Sequence, residues 1–369
     1  MKRLLLLVLL APLAAAAQVS YYLRPDLPSG SVRVAIRLEK ASDREEFRIP
    51  AWCPGFYFIL QYQDDISDFR ATDGQGRKLT VTKSDSRGWV VSNPAKGAIS
   101  VSYKVLGDDP GLGFFATSVK SHTVFVNPPS AFMYVEGRKD EPTKLKLELP
   151  KGWKVATGMS QADDGTWTAQ GYEELIDHPL QLGIFESRRF TVRGVPFEAA
   201  FVAPTPGGQR ADLDAEVERL KQLSEPAIKL FGGFPAKKYV YIIHLATGDF
   251  GGGLEHRAST VLAVPNSKPL GIDTLATHEL FHTWNVKHAR PKVLGPFDYT
   301  QPVRTNNLWF AEGVTDYYAN ITAYRSGYYD SKWLLRSLSD EISTLQSSKM
   351  RKVKTLEEAS WNAWENGGF

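Results

Sequence analysis

A single cysteine, Cys53, occurs in the 369-residue sequence, so no intramolecular disulfide can staple the fold and stability must come from core burial or a bound metal. Between Trp52 and Pro54, this thiol reads as a small buried hydrophobe and is assigned no chemistry. Excess charge of one sign is also lacking. The 44 Lys plus Arg face 41 Asp plus Glu, and a net charge of +3 falls short of the electrostatic footprint of a nucleic-acid binder. No apolar run after the first residues is long enough to cross a bilayer, so no integral membrane segment is expected in the rest of the chain. Internal repeats and low-complexity stretches are missing as well. With 43% hydrophobic and 23% charged residues, the composition is that of a globular chain, and the length predicts more than one core.

What is present begins with a leader. Met1, Lys2 and Arg3 precede an apolar core from Leu4 to Leu10, and small residues follow at Ala15, Ala16 and Ala17. A basic start, a short apolar core and a small-residue cleavage site predict a secretory signal peptide over residues 1–17, cut before Gln18. The mature protein is therefore expected in the periplasm or outside the cell.

From Ser20 to about Phe190 the pattern is period-two alternation, as in Ser31–Leu38, Gly88–Ser92, Ala98–Val105 and Thr143–Leu149, punctuated by turn residues such as Asp163, Asp164 and Gly165. This predicts an all-β unit over residues 18–190, built as a sandwich or curved sheet. After Gly208 the period changes. Leu213, Val217, Leu220 and Leu223 fall at helical spacing. Tyr239–Ile243 reads as a buried strand and Thr260–Val264 as another beyond a glycine-rich turn, and from Asp273 onward the pattern is mainly helical. The fold class expected is multidomain α+β, with residues 191–369 forming the second unit.

The strongest chemical signal lies in that second unit. His278-Glu279-Leu280-Phe281-His282 has the form H-E-x-x-H, which a chain with seven histidines should contain by chance only about 0.01 times. At helical pitch both imidazoles project from one face and can reach one zinc ion. Glu279 sits on the flank, where it can remove a proton from an activated water instead of ligating the metal. Asp273 is the expected N-cap of this helix. A catalytic zinc takes three protein ligands, and the candidate for the third is Glu312, on a second helix expected from about Asn306 to Gly327. Asp316, one turn further on, can accept a hydrogen bond from a ligating imidazole. His288 falls past the helix face and is read as non-ligating. His122, His178 and His244 have no metal spacing and are read as structural.

His278-Glu-Leu-Phe-His-Thr-Trp-Asn285, followed by Lys287, Arg290-Pro291 and Trp309-Phe-Ala-Glu-Gly-Val-Thr-Asp-Tyr317, resembles the glycyl aminopeptidase family, exported zinc peptidases that usually carry a C-terminal PDZ domain. The likeness extends upstream to Gly252-Gly253-Leu254-Glu255-His256. It implies a β-rich N-terminal domain followed by a thermolysin-like zinc peptidase domain of the gluzincin type, with one zinc per chain. By similarity to the Gly-x-Met-Glu-Asn segment of the aminopeptidase N superfamily, residues Gly252 and Gly253 would run along the substrate backbone. Glu255 would pair with the free α-ammonium of a peptide. His256 stands where that superfamily has Asn. The family's oxyanion-stabilising tyrosine comes several dozen residues after the third ligand, so it and the PDZ domain are expected to lie beyond Phe369.

These residues point to a zinc-dependent aminopeptidase acting on peptides with a free N-terminus, with a small first residue, Gly or Ala, implied by the resemblance. Two alternatives stay open on the residues alone: a zinc endopeptidase, which would not need Glu255, and a zinc-stabilised module that binds peptide ends without cleaving them.

Overall fold

The computed structural model describes residues 18–108, 114–248 and 251–366, so the leader expected at residues 1–17 lies outside the described residues. The first half is β-rich, and alternation decides its layers. Along Ser31–Leu38 the side chains of Val32, Val34, Ile36 and Leu38 are buried while Arg33 is exposed, and the antiparallel neighbour Ile99–Leu106 buries Ile99, Val101, Tyr103 and Val105 on the same side. These two strands belong to a seven-stranded sheet in which only the pair Val19–Asp26 and Thr143–Leu147 runs parallel. Two four-stranded sheets complete the unit. One core cluster draws on all three, with Tyr21 and Val34 from the large sheet, Phe47 from the second, and Val126 and Leu182 from the third.

The chain then enters a five-stranded sheet through the hairpin Glu186–Val192 and Val195–Val202, which the sequence pattern did not announce. The helix Leu213–Leu230, capped by Asp212 on the Ala215 N–H, connects Val195–Val202 to its parallel neighbour Tyr239–Ala246 and buries Leu213, Val217, Leu220 and Ile228. Tyr239–Ala246 and Ser259–Pro265 are central and parallel, covered on both faces, which is why they read as nearly continuous apolar runs.

The expected glycine-rich turn before Thr260 is instead an edge strand. Gly252–His256 pairs antiparallel with Ser259–Pro265, Glu255 opposite Thr260, and the turn proper is Arg257 and Ala258. Its other side has no strand partner among the described residues. Below this edge packs the helix Asp273–Phe281, and Val314–Arg325 packs on it in turn, the two joined by the stacked rings of Phe281 and Tyr318 at 5.1 Å and by the Thr277 hydroxyl on the Ala319 carbonyl. Asp273 is not the N-cap. Ile272 holds that position, and the Asp273 carboxylate accepts from the Tyr329 hydroxyl at 2.6 Å and pairs with Arg219. A side chain already engaged by Tyr329, in the loop after Val314–Arg325, and by Arg219 of the Leu213–Leu230 helix is not free to turn back on its own backbone.

Candidate metal centre

His278 and His282 leave the last turn of the Asp273–Phe281 helix on one face, with ring centroids 4.6 Å apart. Each ring is oriented through Nδ1. That of His278 faces Asp316 Oδ1 at 2.7 Å, and that of His282 faces the Asn285 carbonyl at 2.8 Å. A nitrogen that faces a carbonyl carries the proton, so in the neutral rings the Nε2 lone pairs point into one gap, where they lie 2.9 Å apart. Two lone pairs at that separation repel unless a proton or a metal cation lies between them.

Glu312 supplies the third atom. Its Oε2 is 3.4 Å from His282 Nε2 and 3.6 Å from His278 Nε2. The triangle of donors is close to the ~3.4 Å spacing of ligands about 2.1 Å from a tetrahedral ion, and two imidazoles plus one carboxylate are a donor set that suits zinc. The electrostatics agree. Burial depresses the His278 ring, but Asp316 and Glu312 outweigh it and push its pKa up to about 10. His282 is raised against burial by Glu312, and Glu312 itself, against burial, is held well below the usual carboxylate range by the two rings. The cluster calls for positive charge at its centre, and the residues present fit a zinc ion.

Glu312 does not stand on a regular α-helix. Trp309–Gly313 is a π turn leading into Val314–Arg325, whereas the sequence reading placed a plain helix there from about Asn306. The wide turn leaves carbonyls short of helical donors. Asn285 supplies one, its Nδ2 donating to Phe310 O, Ala311 O and Thr315 Oγ1 at 3.1 to 3.3 Å. The same residue thus orients His282 through its carbonyl and braces the Glu312 turn through its amide.

Glu279 projects from the flank toward the edge strand. Burial raises its pKa, the two histidines oppose this, Glu255 and Glu312 add to the rise, and the carboxyl is pushed up to about 7. Its Oε2 has no hydrogen-bond partner among the described residues. Gly253 explains the approach: a Cβ there would overlap the Glu279 carboxylate, so the glycine lets the helix side chain lie against the strand backbone. Gly252 opens the same strand, paired with Ala263.

Glu255, three positions along, is buried, and its carboxylate, that of Glu279 and a His282 ring nitrogen lie within 4.8 Å of one another. Behind it is a cluster that the sequence did not reveal. Lys287, itself buried, places Nζ 2.9 Å from Asp177 Oδ1 and 3.7 Å from Glu255 Oε1, and His256 Nδ1 is 3.2 Å from the same Asp177 oxygen. Burial keeps the His256 ring below its ordinary pKa despite Asp177. Within ion-pair distance of Lys287, two carboxylates therefore face one ammonium. Beside them is a cavity of ≈ 50 Å³ lined by Trp52, Gly55, Tyr57, Glu255, Lys287 and Trp364. A larger groove, ≈ 530 Å³ over Tyr22, Arg33 and Arg70, lies on the outer face of the seven-stranded sheet, and no residue of the metal centre or of the Glu255 cluster lines it.

Asp177 and Tyr57 come from the β unit, more than 70 residues from the edge strand, and nothing in their neighbours' spacing signals a site. Lys287 and Asn285 fall inside the quoted family motif but had no role by spacing. His288 Nδ1 donates to the Thr283 carbonyl at 2.6 Å, away from the cluster, and His244 faces Gln181.

The same two-part division appears in the comparison with known families: residues 21–184 match the Peptidase M61 N-terminal domain, and residues 272–368 match M61 glycyl aminopeptidase. The chain belongs to the M61 glycyl aminopeptidase family. Among solved structures, this M61 chain is similar to an aminopeptidase N family protein from Idiomarina loihiensis, with 29% identity and a TM-score of 0.87 over 94% of this chain, and it spans 61% of that relative's length. An M1 zinc metallopeptidase variant from Deinococcus radiodurans, bound to a Tyr-Ser-Ala substrate, shares the fold at 15% identity and a TM-score of 0.52, over 90% of this chain and 75% of that one. No curated protein is a significant match.

Proposed function

We propose that this M61 chain is a zinc-dependent aminopeptidase that removes a small N-terminal residue, glycine or alanine, from peptides outside the cytoplasm, exported there by the leader at residues 1–17. The observation that carries the reading is the charge count behind the edge strand. Asp177 and Glu255 carry two negative charges, Lys287 carries one positive charge, and the fourth partner that would balance them is a substrate α-ammonium. An endopeptidase would leave that charge uncompensated whenever a substrate bound. The cavity beside Glu255 is the space the side chain of that first residue would enter, and the preference for glycine or alanine rests on the family resemblance.

His278, His282 and Glu312 would hold the zinc. When bound, zinc supplies Lewis-acid polarisation of the scissile carbonyl and makes water a usable nucleophile near neutral pH. The protein's own groups do the rest. The unpaired side of Gly252–His256 offers its backbone to the peptide as a neighbouring strand. Glu255 fixes the ammonium end and so sets which peptide bond reaches the histidines. Glu279, buried beside the histidines with its Oε2 free of any hydrogen-bond partner among the described residues, takes the proton of the attacking water and hands it to the leaving amine.

The test is hydrolysis of glycyl and alanyl naphthylamides beside their N-acetylated counterparts. Free-amine substrates should be cleaved and blocked ones spared. Glu255→Ala should lower kcat/KM on free amines by roughly 10- to 150-fold, the equivalent of about 1.5 to 3 kcal/mol for a charged hydrogen bond, with little change on blocked peptides. Glu279→Gln should keep its zinc and lose turnover. Equal cleavage of both substrate classes would replace this reading with an endopeptidase, and zinc binding without cleavage, in a chain extended by its downstream sequence as well, would replace it with a peptide-binding module.

A further inference from the structure

One loop of the β unit reaches across to two carboxylates of the site, Glu255 and Glu312. It runs through residues 51–57 and is anchored at its base on the other half of the chain, with Ala51 N–H donating to Tyr299 O at 2.8 Å and Trp52 Nε1 donating to Asp298 O at 3.0 Å. Phe56 N–H closes a turn on Cys53 O, and the Phe56 ring stacks on Phe115 at 3.8 Å. At the tip, Gly55 has φ +89 and lies so close to the edge strand that a Cβ would fall 2.5 Å from Leu254 Cδ1 and 2.8 Å from Glu255 Oε2. Backbone angle and close approach both require glycine there.

Two residues further on, Tyr57 is directed at the metal centre. Its hydroxyl donates to Glu312 Oε1 at 3.3 Å, across 255 positions of sequence, while its ring packs edge-on to Trp364 at 5.9 Å. The division of the carboxylate is the telling point: Oε1 faces Tyr57, and Oε2 faces both histidines. A carboxylate on a π turn has rotational freedom that would let either or both oxygens turn to the histidines, and a donor on one oxygen removes it.

We infer that Tyr57 is a positioning residue of the metal centre, donated by the N-terminal β unit, which presents Glu312 to the metal through Oε2. The inference rests on the zinc reading above and assigns the β unit a part in it. The metal site is then completed only when the loop is docked, so metal affinity reports on contact between the two halves of the chain.

The experiment compares wild type, Tyr57→Phe and Glu312→Ala by zinc competition against a chromogenic chelator, together with the visible absorption of the cobalt(II)-substituted proteins and thermal unfolding of the metal-free forms. Tyr57→Phe keeps the ring and its packing and removes only the donor. It should unfold at the wild-type temperature without metal, bind zinc about 10- to 100-fold more weakly, and shift the cobalt spectrum, because the carboxylate no longer has one oxygen held away. Glu312→Ala should lose the metal altogether. Wild-type zinc affinity and an unchanged cobalt spectrum in Tyr57→Phe, alongside metal loss in Glu312→Ala, would overturn the inference and leave the zinc reading standing. Failure of the wild-type chain to bind zinc would overturn both.

Discussion

Asp316 Oδ1 lies 2.7 Å from His278 Nδ1, four residues beyond Glu312, so the π turn and the helix that continues it supply a candidate ligand and the partner that orients the imidazole on the facing helix. The contact fixes which ring nitrogen turns inward and makes that nitrogen more basic. Asp316→Ala should therefore weaken zinc binding about 10- to 100-fold, and Asp316→Asn, which keeps an acceptor oxygen and loses the charge, should fall between it and wild type. Chelator competition on the purified proteins measures both. Unchanged affinity in the alanine variant would reduce the contact to a surface pair.

The reach of sequence reasoning follows from how far apart the contributing residues stand. Ser31–Leu38 and Gly88–Ser92 were legible end to end, since a strand with one wet face writes its period into the sequence. The meeting of His278, His282 and Glu312 was legible too, because helical spacing settles the first pair and zinc's need for a third donor directs the search downstream. The β unit's share was not. Tyr57 sits among Phe56 and Phe58, and Asp177 follows a buried helix ending at Ile176, so each looks locally like core or turn. The π turn at Trp309–Gly313 was equally hidden, since no side-chain pattern there separates it from an α-helix, and what stabilises it is Asn285 from another segment. Asp273 was misread as a cap because its real partner, Tyr329, lies 56 residues away.

Lys287 pairs with two carboxylates at once, the buried Glu255 and the partly buried Asp177, and its removal should expose that dependence. Burial lowers its pKa, but Asp177 and Glu255 more than restore it, so the side chain is a cation inside the protein. Lys287→Met would leave Asp177 and Glu255 without it, a loss typically worth about 3 to 5 kcal/mol of folding stability. Asp177→Asn in the same chain should recover part of the loss, making the double variant more stable than the sum of the two single changes predicts. Urea unfolding of the four proteins decides it. Simple additivity would mean that the ammonium and the carboxylate do not act as a pair.

His178 makes a prediction about acid. It is buried, its Nδ1 has no hydrogen-bond partner among the described residues, and burial, opposed by Asp177, brings its pKa down to about 3. In the unfolded chain the same ring titrates at about 6.5. Between these values the unfolded state binds a proton that the folded state refuses, so stability is full above about pH 6.5 and falls as the pH drops, by up to about 1.4 kcal/mol per pH unit from this ring alone. Whatever Glu279 contributes is common to wild type and variant. The comparison to make is therefore wild type against His178→Gln, both saturated with zinc, unfolded in urea at several values between pH 6.5 and 4.5, above the range where most carboxylates titrate. The difference between the two should shrink steadily on acidification, whatever its size at neutral pH, because only the wild type has a ring at this position to protonate on unfolding. A difference that stays constant across that range would show that the ring is protonated equally in both states, and the account of it as a buried neutral histidine would have to be abandoned.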